Sequence, residues 1–271
     1  MVSVLLLKRD HGKANKPVSS TTIDTVLAQA AETRPRVYIQ DRFHWDQQDA
    51  YLFDIDGTLL RSRDRIHYES FFESVRTVMG RELVLEGVTL SGNTDPGILY
   101  DAFRLAELDP EHWQPMLADV LDHMRKVVAA QRDQMNLVKM PGVDEMLAYL
   151  QSKGAALGIG TGNLESIGWL KLEVLGVRHW FAFGGFADNF PARAGMIADA
   201  AKQARNLRGA DATVCVIGDT PFDVAAAKAN NLPTIAVATG HYSFDDLMQH
   251  HPEVCVSTLS ALRAQAANTG I

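Results

Sequence analysis

The feature that most constrains the fold of this chain is an alternation of short apolar runs with helix-length segments, which begins at Tyr51. The runs predict five buried strands, at residues 51–55, 155–159, 213–217, 234–237 and 254–256. Helical patterns lie between and after the later strands, at about residues 142–152, 164–175, 192–207, 221–230 and 259–267. Near-continuous apolar strands suit a parallel sheet that is covered on both faces. The alternation therefore predicts an open, doubly wound α/β sheet.

Residues 63–139 interrupt this alternation and contain almost no strand signal. Apolar side chains from Phe71 to Met79 share one helical face, and a second stripe repeats at three- and four-residue steps from Trp113 to Val128. A helical insert after the first core strand would sit above the carboxyl end of that strand. We therefore predict a Rossmann-like core formed by residues 50–62 and 140–271, with an inserted all-helical cap domain at 63–139.

Residues 1–49 are predicted to be an N-terminal extension, and the sequence indicates little of its structure. A helix over residues 22–31 and a short strand at 37–39 are its only regular patterns. The apolar run Val2–Leu7 is short and precedes Lys8, which reverses the order of a signal peptide. The chain has no apolar stretch of about 18 residues, the length that a membrane span needs. We expect a cytoplasmic protein without a membrane partner.

The charge balance disfavours nucleic acid as the main partner. Lys and Arg total 26 against 33 for Asp and Glu, a formal net charge of −7 that repels phosphate backbones. A small phosphorylated metabolite can still bind, because a metal ion inverts the local field. Cys215 and Cys255 are far apart and form neither a disulfide framework nor a zinc motif, which fits a reducing compartment.

Chemistry-bearing residues follow three of the predicted strands, where ligands bind in open α/β sheets. Asp54 and Asp56 follow the first strand, and they face the same crevice because residues i and i+2 of an extended segment point to one side. Two carboxylates there repel each other unless a partner compensates them. Mg²⁺ is such a partner, since it prefers a few carboxylates together with substrate phosphate. Gly57 permits a tight turn that exposes backbone amides to an anion.

A second pair of carboxylates follows the strand at 213–217. Thr220 is suited to cap the next helix and Pro221 to its first turn. Asp219 and Asp223 are four residues apart, so they can lie on adjacent edges of that turn. Helix capping would explain one of the two aspartates, but not a second pair that converges on the first.

Thr161, Gly162 and Asn163 follow the strand at 155–159 and have the character of a phosphate site. Thr161 offers a hydroxyl donor, and Gly162 allows close approach of the backbone. A helix that begins near Leu164 would attract an anion through its free amides and its dipole.

These residues resemble the motifs of the haloacid dehalogenase superfamily. Asp54-Ile55-Asp56-Gly57-Thr58-Leu59 is similar to its first motif, Thr161 to its second, and Asp219 with Asp223 to its fourth. The resemblance covers residues 50–271, and the helical insert is similar to the caps of this superfamily. Gly92-Asn93-Thr94-Asp95 and the segment 160–165 further resemble its phosphoglycolate phosphatase-like branch.

The resemblance implies a catalytic role for each motif residue. Asp54 would attack phosphorus and become an aspartyl-phosphate, and Asp56 would act as general acid and then as general base. Asp54 would have to be ionised while Asp56 holds a proton. Mg²⁺ would be held by Asp219, the Asp54 carboxylate and the Asp56 carbonyl, with Asp223 as a further ligand or as an orienting group. Substrate would be held by Gly57, Thr58, Thr161, Gly162 and Asn163.

The third motif departs from the superfamily, which usually has a lysine after the strand near Phe183. Arg193 is the best replacement, because it begins a helix and can bind phosphate through two donors. Lys202, about two turns further along, is the alternative.

The resemblance implies a Mg²⁺-dependent phosphatase that hydrolyses a small phosphomonoester, with phosphoglycolate as the first candidate. Specificity would depend on cap residues near Thr94 and Asp95. A phosphomutase remains open because it uses the same pair of aspartates. A non-catalytic binding protein on the same scaffold is a third hypothesis, which the complete set of motif residues disfavours. The sequence makes no prediction of the oligomeric state.

Overall fold

The structure, a computed structural model, describes residues 35–268. The expectations for Val2–Leu7, Lys8 and the helix at 22–31 lie outside the described residues.

The central sheet has seven strands: β1 (Val37–Ile39), β2 (Ala50–Phe53), β5 (Ala156–Gly160), β6 (Phe183–Gly185), β7 (Val214–Gly218), β8 (Thr234–Val237) and β9 (Val254–Val256). Their order in the sheet is β1-β9-β8-β7-β2-β5-β6, and all neighbouring strands are parallel except β1 and β9. Phe53 at the end of β2 pairs with Ile159 of β5 on one side and with Ile217 of β7 on the other. The carboxyl ends of these three strands are therefore adjacent.

Helices cover both faces of this sheet, which confirms the predicted α/β class. They are α5 (Val143–Ser152), α6 (Glu165–Leu175), α7 (Arg193–Arg208), α8 (Pro221–Ala229), α9 (Phe244–Met248) and α10 (Leu259–Asn268). Tyr51 and Phe53 belong to a buried cluster that includes side chains of α5 and α10, whereas Leu52 packs in a cluster that includes side chains of α7 and α8. Successive residues of β2 point to opposite faces and both are buried, which explains the continuous apolar run.

The insert between the first and second parallel core strands packs in an apolar cluster that also includes Leu164 and Ile167 of the core. Phe71 and Val75 pack there with Leu99, Phe103 and Met124. Its helices are α1 (Ile66–Met79), α2 (Asp95–Leu105), α3 (Pro110–Trp113) and α4 (Leu117–Ala130). The stripe from Trp113 to Val128 is therefore divided, because a short 3₁₀ turn at Gln114–Met116 separates α3 from α4.

An antiparallel ribbon of β3 (Leu60–Ser62) and β4 (Leu137–Lys139) joins the insert to the sheet region. The sequence analysis did not predict this ribbon, and β4 lies inside the segment 63–139 that was expected to be all-helical. Part of the predicted N-terminal extension also belongs to the sheet, since β1 pairs with β9 at its edge.

Among residues 35–268, no helix combines the length and the apolar character needed to cross a membrane.

Candidate active site

A cavity of about 870 Å³ lies at the carboxyl ends of β2 and β5, where the sequence predicted the site. The insert contributes part of its wall, including Tyr68, Phe71 and Ile98. Polar side chains from both the sheet and the insert reach the cavity. They include Asp54, Asp56, His67, Asn93, Asp95, Thr161, Asn163, Lys171 and Arg193.

Of the two cations that the sequence offered for the third motif, Arg193 lies in the site. Its Nη2 lies 2.6 Å from Asp54 Oδ1 and 2.6 Å from Asp223 Oδ1, and its side chain is only 6% exposed. Lys202 is exposed on α7 and does not line the cavity. The difference follows from helix geometry, because the first residue of α7 lies beside the ends of the strands whereas Lys202 is more than two turns away.

Three buried carboxylates, Asp54, Asp219 and Asp223, form a cluster whose ligand atoms all lie within 4.8 Å of one another. When all groups are ionised, the guanidinium of Arg193 balances only one of the three negative charges. Hard carboxylate oxygens in such a group suit a divalent cation such as Mg²⁺. The residues present therefore fit the metal that the motifs imply. The Asp56 carboxylate is not part of this cluster.

Two glycines leave room for the Asp219 carboxylate in the cluster, and a hydrogen bond from Thr58 orients it. A Cβ added to Gly57 would lie 2.3 Å from Asp219 Oδ2, and one added to Gly240 would lie 1.7 Å from it. Thr58 is fully buried and its hydroxyl donates to Asp219 Oδ1 at 3.0 Å. The Thr58 hydroxyl therefore orients a cluster residue, and its predicted contact with substrate stays a prediction.

Asp223 has a structural role in addition to its place in the cluster. Its Oδ2 accepts hydrogen bonds from the backbone and the hydroxyl of Thr220, which forms a capping box at the start of α8. The other oxygen, Oδ1, faces Arg193. Asp223 thus caps α8 and also lies in the cluster, and its role as a further ligand or as an orienting group stays a prediction.

Burial and neighbouring negative charge raise the pKa values of Asp54 and Asp219. Burial raises the pKa of Asp54 to about 6, with further contributions from Asp223 and Asp56, although Arg193 opposes the shift. Burial and the neighbouring Asp54 and Asp223 also raise the pKa of Asp219. Burial lowers the pKa of Arg193, but Asp223 and Asp54 outweigh it and the net shift is upward. A divalent cation bound at the cluster would stabilise the ionised acids.

Asp56 points away from the cluster and has different partners. Its Oδ2 accepts hydrogen bonds from Lys171 Nζ at 2.7 Å and from Asn163 Nδ2 at 2.8 Å. Burial raises the pKa of Asp56, but the charges of Lys171 and His67 and these hydrogen bonds outweigh it, and the net shift is downward. From the charges of the protein alone, Asp54 is thus the weaker acid of the pair. This order is the reverse of the one that the resemblance implies, because burial with Asp223 and Asp56 raises the pKa of Asp54, whereas the ammonium group of Lys171 lowers that of Asp56.

Lys171 was missed by the sequence analysis, although a signal was available. Ile167, Gly168, Lys171 and Leu172 are the buried residues of α6, at the spacing of one helical face. Lysine is seldom fully buried unless it is paired, so its place on an apolar face marks a polar partner inside the fold. The other missed residue is His67 of α1, whose Nε2 lies 3.2 Å from Asp95 Oδ2.

Thr161 and Asn163 lie together at the end of β5. Thr161 is buried, and its hydroxyl oxygen accepts a hydrogen bond from Asn163 Nδ2 at 2.8 Å. Asn163 therefore connects Thr161 to Asp56. This side chain orients its neighbours and lines the cavity, and its predicted contact with substrate stays a prediction.

The start of α6 differs from the expected anion site. The amide of Leu164 donates to Asp95 Oδ2 at 2.8 Å, and the amide of Glu165 donates to Asp188 Oδ2 at 2.7 Å. These two backbone amides were predicted to bind phosphate, but they donate to carboxylates of the protein instead. The Thr161 hydroxyl and the amide of Gly162 remain for an anion at this edge.

Residues 91–95 of the insert pack directly on the site. The amide of Asp95 donates to Gly162 O at 2.8 Å, and the Thr94 hydroxyl donates to Pro191 O at 2.8 Å. A Cβ added to Gly162 would lie 2.3 Å from Asn93 O. The insert therefore contacts both the Thr161 loop and the segment before Arg193.

The sequence and the fold of this chain are similar to those of known proteins. The family model of haloacid dehalogenase-like hydrolases matches residues 51–237. A phosphoglycolate phosphatase of Xanthomonas campestris pv. campestris is 30% identical over 204 residues, which cover 73% of this chain and 86% of that protein. PpaX of Clostridium perfringens, provisionally named a pyrophosphatase, is 23% identical over 207 residues, 76% of this chain and 92% of its own length. The crystal structure of a predicted phosphatase from Clostridium acetobutylicum matches with a TM-score of 0.60 at 20% identity, covering 82% of this chain and 99% of that one.

Proposed function

Since this chain belongs to the haloacid dehalogenase-like hydrolase family and is a phosphatase, we propose that it hydrolyses a small phosphomonoester with Asp54 as the nucleophile. The observation that carries the proposal is the separation of the two motif aspartates. Asp54 lies in the buried carboxylate cluster with Arg193, whereas Asp56 faces away from it toward Lys171. Each carboxyl group therefore has surroundings suited to a different task.

In the first step, an oxygen of Asp54 forms a bond to phosphorus while the bond from phosphorus to the ester oxygen breaks. Arg193 holds Asp54 Oδ1 at 2.6 Å, which leaves Oδ2 for the attack. The Thr161 hydroxyl and the Gly162 amide bind the oxygens of the phosphoryl group. Positioning and charge neutralisation of this kind supply most of the catalysis in phosphoryl transfer.

Asp56 moves the proton in both steps. It donates a proton to the leaving ester oxygen, so that an alcohol departs. It then accepts a proton from the water that attacks phosphorus, as the bond between phosphorus and Asp54 breaks. A bound phosphate dianion favours the protonated form of a neighbouring carboxyl group, which offsets the downward effect of Lys171 before the first transfer.

A divalent cation, in this proposal Mg²⁺, would be held by Asp54, Asp219 and the carbonyl of Asp56. When bound it supplies positive charge that offsets the carboxylates and the phosphate oxygens. Asp223 and Thr58 orient the cluster, and the glycines at 57 and 240 leave room for Asp219.

We propose a small phosphorylated metabolite as the substrate, and phosphoglycolate as the first compound to test. Two observations support this: the insert covers part of the cavity, and a relative that is 30% identical is named a phosphoglycolate phosphatase. Fold alone does not determine the substrate, so the assignment depends on direct assay.

The test is a phosphate-release screen over metabolite phosphates, with and without Mg²⁺, on the wild-type chain and on Asp54→Asn. We expect metal-dependent release from at least one small ester and none from the variant. Release that survives in Asp54→Asn would refute the nucleophile assignment. Isomerisation of sugar phosphates without phosphate release would indicate a phosphomutase, and inactivity toward every ester would favour a binding protein.

A further inference from the structure

Lys171 is a buried lysine whose three hydrogen-bond donors all have partners in the site. Its side chain is 4% exposed. Nζ lies 2.7 Å from Asp56 Oδ2, 2.7 Å from Asn163 Oδ1 and 3.1 Å from His67 Nδ1. An ammonium group has three donors and no acceptor, so these contacts use its full capacity. The third contact also requires His67 Nδ1 to be an acceptor, which leaves the ring proton on Nε2 to donate to Asp95 Oδ2.

The contacts of Lys171 and Asn163 with Asp56 are made to one of its two carboxylate oxygens. The hydrogen bonds from Lys171 and from Asn163 Nδ2 both end on Oδ2. An oxygen that accepts two donors is a poor position for a proton of its own, so the proton that Asp56 donates belongs on Oδ1. The side chain of Asp56 is 42% exposed at the cavity, which allows Oδ1 to reach the ester oxygen.

The same network extends from Asp56 into the insert. Lys171 contacts His67 of α1, and His67 contacts Asp95 at the start of α2. Asp95 Oδ2 also accepts from the amide of Leu164, at the start of the helix that carries Lys171. Residues from the insert and from the core therefore share one closed set of polar contacts around the acid–base group.

We propose that Lys171 is a positioning residue that fixes the orientation of Asp56, with His67 and Asp95 of the insert holding Lys171 in place. This inference rests on the proposed function, because it assumes that Asp56 transfers the proton. We expect loss of Lys171 to impair the protonation of the leaving ester oxygen by Asp56 and to leave the attack of Asp54 on phosphorus intact.

The test compares esters that differ in their need for a proton at the leaving oxygen. A dinitrophenyl phosphate releases a stable phenolate without help, whereas an alkyl phosphate requires a general acid. Single-turnover release of the leaving group, measured with Mg²⁺ on Lys171→Met, isolates the first step. We expect release from the alkyl phosphate to fall roughly 100-fold, within the usual range for general acid catalysis, and release of dinitrophenolate to change by less than about threefold.

Two further variants make the result specific. Lys228→Met removes an exposed lysine that bonds only to His250 O among the contacts described, and it should leave both rates unchanged. His67→Gln alters the partner of Lys171 without touching Asp56, and it should produce a smaller loss in the same direction. If Lys171→Met does not fold, as judged by its thermal transition, the comparison of the two esters on His67→Gln decides the question.

Equal losses on both esters would overturn the proposal, because they would indicate a general structural role for Lys171. Unchanged rates on both esters would overturn it as well. A wild-type chain that releases neither leaving group would refute the proposed function itself, and this inference with it.

Discussion

Removal of the Arg193 guanidinium is the perturbation whose consequences the structure defines most sharply. Arg193→Met keeps much of the length of the side chain and removes its charge. The variant leaves Asp54, Asp219 and Asp223 as three buried acids without the cation that contacts two of them at 2.6 Å.

The expected loss follows from the burial of this pair. Both side chains of the Arg193–Asp54 pair are 6% exposed, so water does little to screen the carboxylate that remains. Deleting one partner of a buried ion pair typically costs about 3–5 kcal/mol. Lys202→Ala alters an exposed residue of the same helix and should change the free energy of unfolding by about 0.5 kcal/mol or less. Arg193→Lys should lie between them, because an ammonium group is a point charge that cannot reproduce the planar fork.

The assay is urea unfolding at neutral pH with a chelator present, so that no divalent cation compensates the acids. Phosphatase activity is measured in parallel with Mg²⁺. We expect Arg193→Met to lose stability and activity together, while Lys202→Ala retains both. A free energy of unfolding for Arg193→Met within about 1 kcal/mol of the wild-type value would refute the reasoning. Loss of activity in Lys202→Ala with retention in Arg193→Met would reverse the assignment of the third motif.

Two more predictions concern the metal cluster. Gly57→Ala and Gly154→Ala both place a side chain at positive φ, +92° and +84°, which costs each about 1–2 kcal/mol. Gly57→Ala should cost more than Gly154→Ala, because its Cβ would lie 2.3 Å from Asp219 Oδ2 whereas no atom lies within 4 Å of the Cβ at Gly154. Only Gly57→Ala should therefore weaken Mg²⁺ binding by calorimetry. Equal affinities in the two variants would contradict the role given to Gly57. Mg²⁺ at about 100 times its dissociation constant should stabilise the chain by about 2.7 kcal/mol in thermal unfolding, and Asp219→Asn should lose most of this gain. An undiminished gain in Asp219→Asn would mean that the cation binds elsewhere.

The parallel core could be predicted from the sequence because each of its main strands is buried on both faces. The runs at 234–237 and 254–256 became β8 and β9 with the same bounds, and the five predicted core helices begin and end within one residue of their predicted limits. The short helix α9 was not predicted. The ribbon of β3 and β4 was missed, since each strand has only three residues and neither shows a buried alternating pattern.

The candidate site was predictable where its residues follow strands and unpredictable where distant residues meet. Lys171 contacts His67 across 104 positions of sequence, and no local pattern specifies that pairing. The sequence also could not indicate that Asp95 and Asp188 would take the amides at the start of α6. The choice between Arg193 and Lys202 likewise required the placement of α7 beside the strand ends.

Direct detection of a phosphoryl group on Asp54 is the most immediate test of the central claim. The wild-type chain is mixed with a substrate found in the screen, quenched with acid within the first turnover, and mapped by peptide mass spectrometry. The account predicts a phosphorylated peptide with the modification on Asp54, absent from Asp54→Asn. Turnover without a phosphorylated peptide, or a phosphoryl group on another residue, would contradict it.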